Sequence, residues 1–179
     1  MKKTAFSVTL VLLLLAGLVV AASAAGDENE EIIIIPWREG QTYDIYPGEG
    51  ETGVIESGWG ACTVGLVRVY IKASNYELAL NDDTILTPEQ VDTLWGPIEP
   101  EEPAPPYEDV CKNKTAGFRA SWRLALDWLE PGEYELHSRI WIDHTLIDGG
   151  DYDGDGKPDL VTPDEYYFDT DNTIIVHSD

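Results

Sequence analysis

Phe118, Ala120, Trp122, Leu124, Leu126 and Trp128 all fall on one phase of a period-two pattern, with Arg119, Ser121 and Arg123 on the other. Successive side chains of a strand point to opposite faces, so such a segment has one apolar face and one polar face. No other feature restricts the fold as tightly, because a sheet with one apolar face must bury it under a second layer. Residues 120–129 have the propensity for a helix, but the alternation favours a strand. The pattern recurs. Val67, Val69 and Ile71 oppose Arg68, Tyr70 and Lys72; Tyr76, Leu78 and Leu80 oppose Glu77, Ala79 and Asn81. Further on, Tyr134, Leu136, Ile140 and Ile142 oppose Glu135, His137, Arg139, Trp141 and Asp143. Strands are predicted over each of these runs. Two β-branched runs, 32–35 (stopped by Pro36) and 173–177, predict the first and last strands.

Between these runs the punctuation is that of turns. Asn81-Asp82-Asp83 reads as a turn. Thr87 can cap a helix of one or two turns, with Pro88 at its first position and Gln90 at capping-box spacing. The proline density of residues 97–106 excludes a central strand and favours an extended loop. The predicted fold is all-β: an antiparallel sandwich in one domain over 26–179, with a Pro-rich loop at 97–117 and an insertion at 144–172 before the last strand.

Leu129-Glu-Pro131-Gly132-Glu-Tyr134 resembles the turn that enters a late strand of immunoglobulin-like and fibronectin type III domains. The resemblance implies an immunoglobulin-like sandwich in which the Tyr134 hydroxyl bonds back to the turn backbone. The cysteine–tryptophan–cysteine spacing of immunoglobulin domains is absent.

Lys2 and Lys3, an apolar run over 6–20 and the small residues of 21–26 follow the order of a secretory signal peptide. A leader at 1–25 is predicted, cut near Ala24 or Ala25, giving a secreted or cell-surface protein; a periplasmic location is also open. No second apolar span follows, so no transmembrane segment is expected after cleavage. In such a compartment the two cysteines, Cys62 and Cys111, are expected to form a disulfide, with two buried thiols as the alternative. Asn113-Lys-Thr115 is a glycosylation sequon, making Asn113 an acceptor if the host glycosylates exported proteins.

Thirty-four acidic residues against 11 basic ones give a formal charge of −23, which repels nucleic acid and anionic lipid. No nucleic-acid partner is expected. A salt-adapted host and calcium-rich surroundings both account for such acidity.

Part of that acid is ordered. Within residues 151–159, Asp151, Asp153 and Asp155 alternate, Gly156 permits a sharp turn, Lys157 offers a backbone carbonyl, and Asp159 binds directly or through water. This is the ligand order of a calcium loop, and calcium is the expected cofactor, in a structural role. The loop is not an EF-hand, since Thr162 stands where a bidentate glutamate belongs and Pro158 and Pro163 do not suit paired helices. It resembles the aspartate loops of integrin-type FG-GAP repeats and of thrombospondin type 3 repeats. Those families are extracellular and bind calcium structurally. They occur in tandem, whereas this chain has one copy, so the resemblance implies the ligands and not a propeller. Asp148, Asp164 or Glu165 can complete the coordination.

Trp122 and Trp128 lie on an apolar phase and are expected in the core. Trp141 lies on a polar phase, where an aromatic can stack on a sugar ring or anchor a protein. His137, His144 and His177 are scattered, and no catalytic set stands out. The expected function is a non-enzymatic secreted or cell-surface binding or adhesion module whose partner is an extracellular protein or a glycan. A carbohydrate-binding module using Trp141 is the first alternative, and a small secreted hydrolase working through carboxylates is the second.

Overall fold

Among the described residues, strands and two short α-helices follow the alternating runs and the turn residues between them. They are β1 (Glu30–Ile34), β2 (Thr42–Ile45), β3 (Glu51–Ala61), α1 (Val64–Ala73), β4 (Ser74–Leu80), β5 (Asp83–Leu86), α2 (Pro88–Val91), β6 (Glu99–Glu101), β7 (Gly117–Ala125), β8 (Gly132–Ile142), β9 (Leu146–Ile147), β10 (Leu160–Val161) and β11 (Tyr167–Val176). This computed structural model describes residues 30–101, 111, 117–151 and 155–178; the predicted leader at 1–25, Asn113 and Asp153 lie outside the described residues.

The strands form a four-stranded sheet, β1-β3-β7-β6, a five-stranded sheet, β2-β11-β8-β4-β5, and a short β9–β10 ladder. The two large sheets share one core. Ile34, Ile55 and Trp122 enter it from the first sheet, and Tyr76, Leu78, Leu136, Ile140 and Ile174 from the second. All eight are fully buried. Each contributes on the order of 1.5–3 kcal/mol of burial, which is what holds two otherwise separate layers together. The class is therefore predominantly β. The sheets are mixed: β1 runs parallel to β3, and β2 runs parallel to β11. Alternation fixes which face of a strand is buried and is silent on its direction, so the all-antiparallel pairing expected from sequence does not hold at these two edges.

Residues 67–72 are not a strand but the middle of helix α1. Thr63 caps it, its hydroxyl accepting the Leu66 N–H at 3.2 Å. The buried residues are Val67, Tyr70 and Ala73, spaced by three, whereas Val69, on the apolar phase of the strand reading, is 45% exposed. Six residues fit either period, and packing against β3, β7 and β9 overrides the β preference of the valines. Trp128 is also misplaced by the pattern. It lies beyond the end of β7, 54% exposed, with its indole N–H donating to the Ala125 carbonyl at 3.2 Å. The alternation carries no facing information once the strand has stopped.

The turn and capping expectations hold. Asn81 and Asp82 turn β4 into β5 with positive φ at both (48° and 68°), as a two-residue hairpin turn requires. Thr87 and Gln90 form the capping box of α2, with Pro88 in its first turn. Within the predicted Pro-rich loop, Glu99–Glu101 form β6 instead, an edge strand, where the missing N–H of Pro100 is tolerated. Among the described residues, no helix is long and apolar enough to cross a membrane.

Candidate functional site

The acidic loop is held at a corner built by β3, α1 and a disulfide. Cys62, the first residue after β3, is bonded to Cys111 with 5.3 Å between their Cα atoms. The Cys62 N–H donates to the Asp148 carbonyl at 2.7 Å, and the buried Asp148 carboxylate accepts the Gly150 N–H at 2.7 Å. Gly149 between them has φ +84°, and a Cβ there would lie 3.0 Å from both the Cys62 Cβ and the Leu66 Cδ1. Only glycine tolerates both the conformation and the approach. The loop is closed at its base by the β9–β10 ladder and by the Asp159 N–H, which donates to the Gly150 carbonyl at 2.8 Å.

Within the loop Gly156 returns to the first carboxylate. Asp151 accepts the Gly156 N–H (3.2 and 3.4 Å to its two oxygens), and Gly156 has φ +95°. Asp155 accepts the Lys157 N–H at 2.7 Å, and the Lys157 ammonium lies 3.8 Å from the same carboxylate. Asp151 and Asp159 are half-buried; Asp155 and Lys157 are exposed. Asp151 and Lys157 line a cleft of about 200 Å³ together with Cys62, Leu66 and Cys111. Among the described residues no three His, Cys, Asp or Glu side chains converge as a metal cage; Asp153, the middle ligand of the predicted order, is not among them. The three residues expected to complete the coordination separate. Asp148 belongs to the corner. Glu165 accepts both the hydroxyl (2.8 Å) and the N–H (3.2 Å) of Thr162, bonds that hold its carboxyl below the usual range. Asp164 lines a different groove.

That groove lies on the outer face of the five-stranded sheet. Trp141 projects from β8 opposite Tyr167 of β11; two residues along, Arg139 stands between Asp169 of β11 and Glu77 of β4. Next in the row, His137 stands opposite Asp171. Arg139 lies 3.6 Å from Glu77 and 3.9 Å from Asp169, and His137 lies 3.3 Å from Asp169 and 2.8 Å from Asp171. The Tyr167 hydroxyl donates to Asp169 at 3.2 Å. Glu77, Arg139, Trp141, Pro163, Asp164 and Tyr167 line an open trough of about 630 Å³. Trp141 is half-buried at its wall and Tyr167 is 50% exposed. The Arg139 Nε is buried yet makes no hydrogen bond.

Tyr167 escapes the sequence pattern because β11 begins inside the stretch predicted as insertion. The inward positions of its first half are Phe168, Thr170 and Asn172, so the polar pair hides the alternation. Thr170 donates to the Pro36 carbonyl at 2.6 Å and Asn172 accepts the Gln41 N–H at 2.9 Å, fastening the turn between β1 and β2. A second unforeseen feature is a chain of phenols. Tyr70 of α1 is hydrogen-bonded to Tyr76 of β4 at 2.7 Å and to Tyr166 at 2.6 Å, and the Ser57 hydroxyl donates to Tyr76 at 3.1 Å. Trp59 stacks on Tyr70 with ring centroids 4.3 Å apart. Burial raises the pKa of all three phenols above the ordinary value. The network pins α1, and with it the corner that carries the acidic loop, to the entry of β11.

No protein-family model, curated protein or solved structure matches the chain.

Proposed function

We propose that this chain is an exported, non-enzymatic binding module: an immunoglobulin-like β-sandwich fixed at one end by a structural calcium ion and the disulfide. The outer face of its five-stranded sheet presents the binding surface. The immunoglobulin-like assignment is supported by strand order. β3-β7-β6 and β5-β4-β8-β11 reproduce the B-E-D and C′-C-F-G orders of that architecture, and the Tyr134 hydroxyl donates to the Glu130 carbonyl at 2.8 Å at the entry of β8. The parallel edge strands and the position of the disulfide, at the end of β3 instead of between the sheets, are departures from it.

Calcium is supported by the donor set and by the return of Gly156 to Asp151. Asp151, Asp153, Asp155 and Asp159 with the Lys157 carbonyl offer only hard oxygens, and the first carboxylate already accepts the Gly156 N–H. Of the further candidates Asp148 lies in the same corner, its carboxylate accepting the Gly150 N–H. The ion's role is to neutralise carboxylates that otherwise repel one another at the end of a long connection.

The binding role rests on one observation: two aromatic side chains, Trp141 and Tyr167, stand side by side and partly exposed on an open sheet face. A solid-phase assay against envelope and extracellular material of the host tests it. The intact chain is expected to be retained, Trp128→Ala to be retained equally, and Trp141→Ala to be released. Equal retention of both variants, or no retention of the intact chain, removes the binding surface from this face.

A further inference from the structure

We propose that the trough at Trp141 and Tyr167 binds a neutral glycan, one pyranose ring seated on the aromatic pair and the next reaching the row of charged side chains at Glu77, Arg139 and Asp169. This rests on the binding surface proposed above and adds the chemical class of its ligand. The trough is chemically divided. At one end the register sets Trp141 directly opposite Tyr167, and directly opposed residues on one face of an antiparallel pair have Cβ atoms about 5 Å apart. Both side chains line the trough and offer aromatic surface on which the apolar face of a sugar can pack. Immediately beside them the face becomes an alternation of acceptor and donor: Glu77, then the Arg139 guanidinium 3.6 Å away, then Asp169 at 3.9 Å. These separations are too long for strong hydrogen bonds, so the carboxylates and the partly exposed guanidinium keep hydrogen-bonding capacity toward a ligand. A sugar hydroxyl donates and accepts at the same atom, so a row of hydroxyls satisfies carboxylate and guanidinium together.

The charge balance argues against other occupants. Glu77 and Asp169 flank one guanidinium and Asp164 lines the same trough, an excess of carboxylates that repels an anionic polysaccharide or phosphate. A cationic side chain or quaternary ammonium would gain from the aromatic faces and the carboxylates but would leave the Arg139 guanidinium without an acceptor, and polylysine is the probe that separates it from a glycan. A second copy of this chain would bring together two molecules of formal charge −23. A neutral polyol alone pairs with both the carboxylates and the guanidinium.

Affinity electrophoresis of the intact chain at physiological salt with calcium present tests the proposal, using xylan, mannan, a soluble β-glucan and a soluble chitin derivative as probes. Heparin and polylysine serve as charged comparisons. Retardation by at least one neutral polysaccharide is expected, weakened at least about tenfold in Tyr167→Ala and in Trp141→Ala, with both variants melting as cooperatively as the parent. Tyr167→Ala decides the outcome if Trp141→Ala fails to fold. Absence of retardation by every neutral probe overturns the proposal, as does retardation that both variants keep. Retention by heparin or polylysine alone, abolished by Tyr167→Ala, overturns the glycan while leaving this face as a binding surface. Failure of the envelope assay as well removes both.

Discussion

Trp122 and Trp128 share a phase in the sequence and have opposite fates in the fold. Trp122 is fully buried between the sheets, its ring roughly perpendicular to that of Tyr76 with 5.0 Å between centroids. Trp128 is more than half exposed on the turn after β7. Trp122→Ala is therefore expected to cost about 3–5 kcal/mol, or to prevent folding, while Trp128→Ala stays within about 0.5 kcal/mol. Urea unfolding of the two variants measures the difference, and equal losses would contradict the placement of β7. At this scale much is readable from the sequence. The Asn81-Asp82 turn, the Thr87 cap and the outward phase of Trp141 follow from local chemistry that acts within a few residues, and the cysteine pair from an even count in a chain read as exported. Gly149 is visible there only as a glycine. Its reason, the approach of Cys62 and Leu66, comes from residues 80 or more positions away and has no local signature.

Among elements, α1 is the clearest case of what a pattern cannot decide. Its six central residues satisfy a period of two and a period of 3.6 about equally, and the outcome is set by Thr63 in front of it and by the phenol network inside it. That network makes the helix pH-sensitive in a defined direction. Tyr70, Tyr76 and Tyr166 keep their protons in the fold above the ordinary tyrosine value of 10.0, whereas the unfolded chain loses them there. The folded state then binds more protons than the unfolded state, so stability is full below about pH 10 and falls as pH rises beyond it. An alkaline titration followed by tyrosinate absorbance and by circular dichroism is expected to show three of the nine phenols ionising only as structure is lost. Ionisation of all nine before unfolding would contradict the network. The opening half of β11 is hidden in the sequence for a related reason: Thr170 and Asn172 point inward to hold a distant turn, and polar residues at inward positions erase the alternation that reveals a strand.

For the whole molecule, charge and cross-links set the terms. A chain of formal charge −23 repels itself when compact, and the disulfide and the acidic loop sit together at one corner, where a cross-link opposes that repulsion. Removing the disulfide releases a loop of 49 residues in the unfolded state, so Cys62→Ala with Cys111→Ala is expected to lower stability by about 4 kcal/mol in urea. No loss would mean that the corner holds without it. The two-layer β class is readable from alternation, because burying one face of each sheet leaves few other solutions. The pairing of two edge strands is not, because direction depends on the path of the turn between them. The claim on which the proposed architecture most depends is that calcium closes this corner. Differential scanning calorimetry of the intact chain, in calcium and in excess chelator, addresses it directly. At about a hundredfold excess over the dissociation constant, calcium is expected to raise the melting temperature by about 5–10 °C, an effect lost in Asp151→Asn with Asp155→Asn. Identical melting in calcium and chelator, with no calcium found in the purified protein, would contradict it.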